Sequence, residues 1–553
     1  GGSGTLNFAN ATSVAIDVDT VRIANSGHGA GSTGLVQLSG GANTIRADEI
    51  VIGNRKGAAT VNMAAGGSLD IQGQSGARAN LSIGRNNINT GGTPLATLDA
   101  TAGVFTAQLD QLLLGHKSGG SAAGSGRGEV LLGSSAANNV NVNNVVIAEL
   151  SDGGTATGRL QMRGGTFTVN GAITDGGGTS TIQLDGGTMT VGSGLEVDHL
   201  RVGYGGLSAS LTVSGGPVVI GTGSEVFDIG NRDTVSGGTT SGTADFSAAA
   251  SVNINVNRLG IAQIPGTGGT TSGTLILPAT GPATIRANVI SVADIPSASG
   301  SGLGIMHLGA GTTDIAVDHF YLGYRKKDAE LDILPGGVLN IQGRLGAAAN
   351  LYVGYNAVNT GSVPESTMDL TGGTLNAVLN NMTVGYHTSI PTSAGSGTGE
   401  LTFEAGTISA TTVVVGGGGS TGRGIGTINM NGGSFTADSI TLGTGNANTS
   451  GTFNLAGGTL SAGSIVQGTA GSTANFHWTD DCTSTSSARR RWRWTSCSKT
   501  ARWHPAIPSE PPKSLATIPS WPQACSKSRL PGRPTTTSLW STATPRSTAR
   551  CMC

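Results

Sequence analysis

Asp48–Gly53 reads DEIVIG, Asp198–Gly203 DHLRVG, Asp318–Gly323 DHFYLG and Asp438–Gly443 DSITLG. Each runs Asp, any residue, apolar, any residue, apolar, Gly. Looser copies start at residues 19, 79, 110, 143, 170, 225, 257, 288, 349, 380, 411 and 463, giving 16 copies at intervals of 25 to 33 residues. The last position is Gly or Ala in 15 of 16, and both apolar positions are filled in 14 of 16; the copies at 170 and 463 fail. Agreement at fixed columns over so many copies marks a repeat architecture.

A second phrase lies between copies. RLQMRGGTFTVN places Leu160 and Met162 before Gly164-Gly165, and Phe167 and Val169 after them. TINMNGGSFTAD and TFNLAGGTLSAG repeat the arrangement around Gly432-Gly433 and Gly457-Gly458. Period-two alternation describes strands with one buried face. The glycine pair marks a bend between two of them. Each repeat therefore reads as three short strands separated by corners. No sustained 3.6-residue period exists, so little helix is expected.

Three strands cannot bury a core alone, but stacked coils can. The sequence predicts an all-β, right-handed parallel β-helix of about 16 coils over residues 1–478, followed by an unstructured tail over 479–553. With about 4.8 Å per coil, the stack would be about 75–80 Å long. Leu81, Ile83, Phe453, Leu455 and their equivalents are expected to point inward. The Asp/Asn column is expected to stack and bond corner backbone. The variable stretches 115–128 and 385–399 are expected as loops outside one corner. A β-sandwich array is the alternative, disfavoured by the regular period and the absence of hairpin signals. Larger units recur as well. Residues 45–115 match 315–385 without gaps at a shift of 270, and 195–204 match 315–324 at a shift of 120.

Composition agrees with a thin, repeated core: of 553 residues 93 are Gly, and only 4% are aromatic. The net charge of −1 argues against a nucleic-acid partner, which demands clustered positive charge. No apolar run reaches the roughly 18 residues of a membrane helix. GGSGTLNFAN carries no secretion signal, so any signal peptide is expected upstream. The averages conceal a break near Trp478. All five cysteines and five of the six tryptophans follow it, and residues 479–553 hold 12 Lys+Arg against 3 Asp+Glu. The body before it holds 19 basic and 29 acidic residues and no cysteine. The tail reads as a frame-shifted continuation: one consistent choice of permitted codons for residues 507–532, read in a shifted frame, gives SIGTTEVTGDYTQLAAGMLEIEIAG, which restores alternation, glycine and acidity.

GGTLSAGSIVQG, GGSFTADSITLG and GGTLNAVLNNMTVG resemble autotransporter-associated β-strand repeats, and the likeness covers roughly residues 5–478. That resemblance implies a bacterial passenger-type rod, secreted or displayed at the outer surface, with an adhesive or structural role. A C-terminal membrane barrel, which such passengers carry, is not among these residues.

Polysaccharide lyases share the β-helix, so chemistry has to be sought in side chains. The foremost candidates are Asp198-His199, Asp318-His319, and the basic pairs Arg55-Lys56 and Arg325-Lys326. Neighbours on a strand face opposite ways, so each Asp-His pair is read as solvated surface, and the basic pairs as exposed loops. His28, His116, His307 and His387 have no partners at zinc spacing, and Cys551-x-Cys553 is no metal motif. The calcium β-roll pattern is missing. VVVGGGGSTGRG (413–424) lacks the Lys-Ser/Thr ending of a phosphate loop and reads as a corner loop. The six tyrosines read as scattered, although a row of aromatics would favour sugar binding. No catalytic, cofactor or metal residue is assigned. The expected function is a non-enzymatic surface rod whose partners are glycans, other cells or further copies of itself; a carbohydrate-active or carbohydrate-binding β-helix is the alternative.

Overall fold

The chain is seen in a computed structural model that describes residues 2–26, 31–88, 91–119, 124–232, 238–265, 268–294, 300–325, 328–357, 363–388 and 395–479. The sequence expectations for His28, Lys326, the cysteines and the tail from Asp480 onward lie outside these residues.

Within the described residues 43 strands form, and their ladders are parallel. Among the described residues an isolated antiparallel bridge joins Glu149 and Gly177. Helical structure among the described residues is limited to two single 3-10 turns, Gln74–Gly76 and Arg344–Gly346. Three ladders can be followed coil by coil. Ser3–Asn7, Ser32–Leu38 and Gly57–Met63 begin the first. Ser13–Asp17, Ala42–Arg46 and Ser68–Gln72 begin the second. Thr20–Asn25, Glu49–Asn54 and Ala79–Asn86 begin the third. Long strands such as Val104–Lys117 turn a corner and serve two ladders. This is the parallel β-solenoid that the phrase predicts.

The apolar columns face one continuous interior from Val36 to Leu455, with Leu81, Ile83, Phe453 and Leu455 all buried as expected. Near the C-terminal end a phenylalanine stack, Phe403, Phe435, Phe453 and Phe476, runs through it with centroids 5.6 to 6.2 Å apart. The Gly/Ala column has a backbone cause. These residues adopt positive φ, as at Gly84 (+77°) and Gly203 (+77°), a region that favours residues without a branched Cβ. Space forbids more at Gly84, where a Cβ would lie 2.0 Å from the carbonyl oxygen of Arg127. The Asx column also bonds between coils. Asn143 Nδ2 donates to Asp110 Oδ1 at 2.7 Å, and Asn170 Nδ2 to Asn143 Oδ1 at 3.0 Å.

The coils are less uniform than the phrase intervals. Stacked partners can be as close in sequence as Thr181 and His199, or as distant as Val61 and Leu98. The short coils mark a change of phase. Before residue 180 the phrase strands lie on the third ladder; Ile173–Asp175 is the last. The chain then passes through Thr179–Leu184 on the first ladder, Gly187–Val191 on the second and Leu195–Val197 on the third. His199–Tyr204, which carries the next phrase, falls on the first ladder, over Thr179–Leu184. From there to Ile465–Gln467 every phrase strand stays on the first ladder. Leu195–Val197 is thus an extra strand that rotates the repeat by one ladder.

Two loop expectations are corrected, the first by this rotation. Residues 115–128 connect the third ladder to the first, whereas 385–399 connect the first to the second, so they do not share a corner. Residues 413–418, read as a corner loop, lie inside the strand Gly406–Gly418.

Candidate functional site

After the phase change the phrase strands present outward columns on the first ladder. Ordinary alternation would send the fourth and seventh phrase residues to opposite faces. The positive-φ sixth residue, Gly323 at +75°, breaks the alternation and brings them together. Tyr321 and Tyr324 therefore meet with ring centroids 4.2 Å apart.

The next coils repeat the arrangement. Tyr321 is in register with Tyr352, and Tyr324 with Tyr355, which is in turn in register with Tyr386. Tyr321 and Tyr352 stack at 4.6 Å, and Tyr355 and Tyr386 at 4.7 Å; Tyr352 meets Tyr355 edge-on at 5.1 Å. His319 lies alongside, 6.0 Å from Tyr321, and its Nδ1 is buried without a hydrogen-bond partner among the described residues. Five of the six tyrosines thus form one half-buried outer face over three coils. The reading of scattered tyrosines is corrected. The signal lay in their numbers. Tyr321 to Tyr352, Tyr324 to Tyr355 and Tyr355 to Tyr386 are equal steps along the chain, and each step is one local coil. The row ends at Gly417, where an added Cβ would come within 2.6 Å of the Tyr386 ring.

Toward the N-terminal side the same columns become charged and paired. Arg258 Nη2 donates to both Asp228 oxygens at 2.8 and 3.0 Å. Arg325 lies 3.4 Å from Asp294 and over the Tyr324 ring at 4.7 Å. Arg325, expected in an exposed loop, is a half-buried link between the acid and the aromatic row.

Burial pushes Asp294 up to about 6, despite the opposing pull of Arg325 and Arg258. Burial, with Asp198 and Glu196 nearby, also raises Asp175 to about 6. Burial and the neighbouring rings raise the Tyr321 phenol, and Tyr352 and Tyr355 move the same way. Glu225 behaves oppositely. Burial alone would raise it, but hydroxyls of Ser224 and Thr222 and nearby amides outweigh that and hold it at about 2.

A pH dependence follows. A carboxyl whose folded pKa exceeds its unfolded value holds more protons when folded, so stability falls as pH rises between the two values. Asp175 and Asp294 place that window between about 4 and 6. For Asp294, with its side chain 19% exposed, the change is on the order of 2–3 kcal/mol. Glu225 contributes in the other sense, and its share is lost only as pH falls below about 4.5. The expected result is a higher melting temperature at pH 5 than at pH 7, with the difference reduced in Asp294→Asn. A melting temperature equal in the two buffers, or an unchanged difference in the variant, would contradict the assignment.

The remaining sequence candidates do not converge on this face. Asp198, read as solvated surface, is buried at a corner. Its Oδ2 accepts from the Ser180 amide at 3.0 Å, and its own amide donates to Ser180 Oγ at 2.8 Å. His199 is half-buried on the strand that follows. Asp318 is half-buried at the equivalent corner. Arg55 is half-buried at φ +63°, and the Lys56 amide donates to Ser26 Oγ at 3.0 Å. His116 Nδ1 contacts Glu149, His307 Nδ1 lies 2.8 Å from Asp332, and His387 is buried. Among the described residues no three His, Cys, Asp or Glu side chains gather as metal ligands, and no helix is long and apolar enough to cross a membrane. No family model, curated protein or solved structure matches the chain.

Proposed function

We propose that the chain is a non-enzymatic structural and adhesive β-solenoid, secreted or held at a bacterial surface, that acts by contact through its tyrosine face. The observation that carries this is a comparison within the molecule. Residues 45–115 and 315–385 are gapless copies with the same turns. Their inward residues stay apolar and buried: Ile50 answers Phe320, Leu81 answers Leu351, and Leu112 answers Met382. Their outward residues differ in kind. Val51, which is covered at 1% exposure, Asn54, Ser82 and Arg85 stand where the second copy has Tyr321, Tyr324, Tyr352 and Tyr355, and His116, just past the first copy, stands where Tyr386 follows the second. Exposed Leu345 and Val378 likewise replace Ser75 and Gln108. The first copy folds without tyrosines, so the coil does not need them. An outer face that turns aromatic on an unaltered scaffold is what a contact surface requires.

A catalytic reading has less support. Hydrolysis by paired carboxylates needs one acid and one free base flanking the bond. Here Asp228 is held by Arg258 and Asn231, and Asp294 by Arg325. The autotransporter-type resemblance of the repeats points toward display and adhesion. A panel of immobilised polysaccharides and whole bacterial cells, assayed for binding and for release of reducing sugar, tests the reading. Binding without turnover is expected. Turnover that is lost on changing Asp294 or Asp228 would replace this reading with an enzymatic one.

A further inference from the structure

Resting on the reading of the tyrosine face as a contact surface, we propose that it binds a neutral, hydroxyl-rich polysaccharide laid along the coil-to-coil direction. The charge pattern selects the class. The arginines that border the row are already matched, Arg258 by Asp228 and Arg325 by Asp294. Among the described residues, an anionic polymer would have to break those pairs to find a counter-charge there. The aromatic residues supply what a sugar needs instead. Each tyrosine combines an apolar ring for C–H faces with a hydroxyl that both donates and accepts. The raised phenols stay protonated through the neutral range, so they remain donors. His319 Nδ1, buried and without a hydrogen-bond partner among the described residues, adds a further polar atom beside the rings.

Geometry selects an extended ligand. The rings succeed one another from coil to coil at 4.6 and 4.7 Å, so the surface is a strip and not a pocket. It is closed at one end by the ion pairs and at the other by Gly417, over which Tyr386 lies. A linear chain matches a strip, and a compact monosaccharide would engage only one step of it.

The internal copy provides variants that keep the fold. Tyr321→Val, Tyr324→Asn and Tyr352→Ser install residues that the equivalent strands already carry at 51, 54 and 82. Native affinity electrophoresis of the full chain and of this triple variant would use gels containing hydroxyethyl cellulose, galactomannan, polygalacturonate or heparin. Melting curves and sedimentation would run in parallel. Retardation by one or both neutral polymers, weakened about tenfold or more in the triple variant at an unchanged melting temperature, is the expected result. Retardation by the anionic polymers alone would overturn the neutral-chain proposal. Concentration-dependent self-association that the triple variant abolishes, with no retardation in any gel, would also overturn it while leaving the contact face standing. No binding, no association and a lower melting temperature in the variant would remove both readings and leave the tyrosines as a stabilising stack.

Discussion

Ile440→Asp is expected to lower the stability of the solenoid by roughly 4 kcal/mol or more, whereas Asp438→Ala, two residues away, is expected to stay within about 0.5 kcal/mol. Ile440 is fully buried and sits in register between Val413 and Ile465. A carboxylate there would lose its hydration with only aliphatic neighbours to meet it. Asp438 is exposed at the corner within the strand Ser434–Thr444. Because each coil touches mainly its neighbours, the damage should be local. Hydrogen exchange should accelerate first in Gly406–Gly418, Ser434–Thr444 and Ile465–Gln467. Thermal melts of the two variants check the inside/outside assignment, which equal shifts would refute.

The columns that make this substitution so unequal were readable without coordinates. An apolar pair fixed two residues apart, copy after copy, can only be one buried face of a strand, and the Gly/Ala that follows announces a positive-φ break. What could not be read is which ladder a copy occupies. The copies at 170 and 198 are separated by an ordinary interval, yet the chain makes four strand steps between them in place of three. It does so by shortening coils, so that Leu195 already stacks on Ile173. Interval counting averages that away. The failed apolar pair of the copy at 170 was the one local hint.

The functional face was hidden for a related reason. Tyr321, Tyr324, Tyr352, Tyr355 and Tyr386 are far apart in sequence and meet only when successive coils are laid in register. Composition reports six tyrosines in 553 residues and dilutes the concentration of five of them on three coils. Arg325 illustrates a different limit. Position after a glycine corner suggested an exposed loop; it gave neither the φ of +71° nor the side-chain direction. Its partner Asp294 lies on the preceding coil. Cross-coil ion pairs become visible only once the stacking offset is known.

Removal of Gly192–Val197 is expected to undo the rotation. The deletion joins Val191 to Asp198 and creates GGTMTVDHLRVG, whose spacing equals that of GGSFTADSITLG at 432–443. In the intact chain Leu195 stacks on Ile173, and Leu200 stacks on Ile182. Without the extra strand, Leu200 should take the third-ladder position over Ile173, and Ser208–Val213 should move to the first ladder over Thr179–Leu184. Every later coil would follow, because parallel register propagates from each strand to the next. The reciprocal Asp198–Ser180 bonds would be lost, at a cost of about 1–3 kcal/mol. This is small beside the stacking of the remaining coils, so the variant should fold. Its tyrosine strands would then lie on the third ladder, in line with their copies at 49–54, 79–86 and 112–116, instead of one ladder away. A crystal structure of the deletion variant reads the register directly. Leu200 still over Ile182, with the shortened segment stretched across the gap, would mean that contacts downstream and not Leu195–Val197 set the phase. The intact molecule uses that one short strand to aim two copies of the same block in different directions, the strands of Val51, Ser82 and His116 on the third ladder and the tyrosine strands on the first.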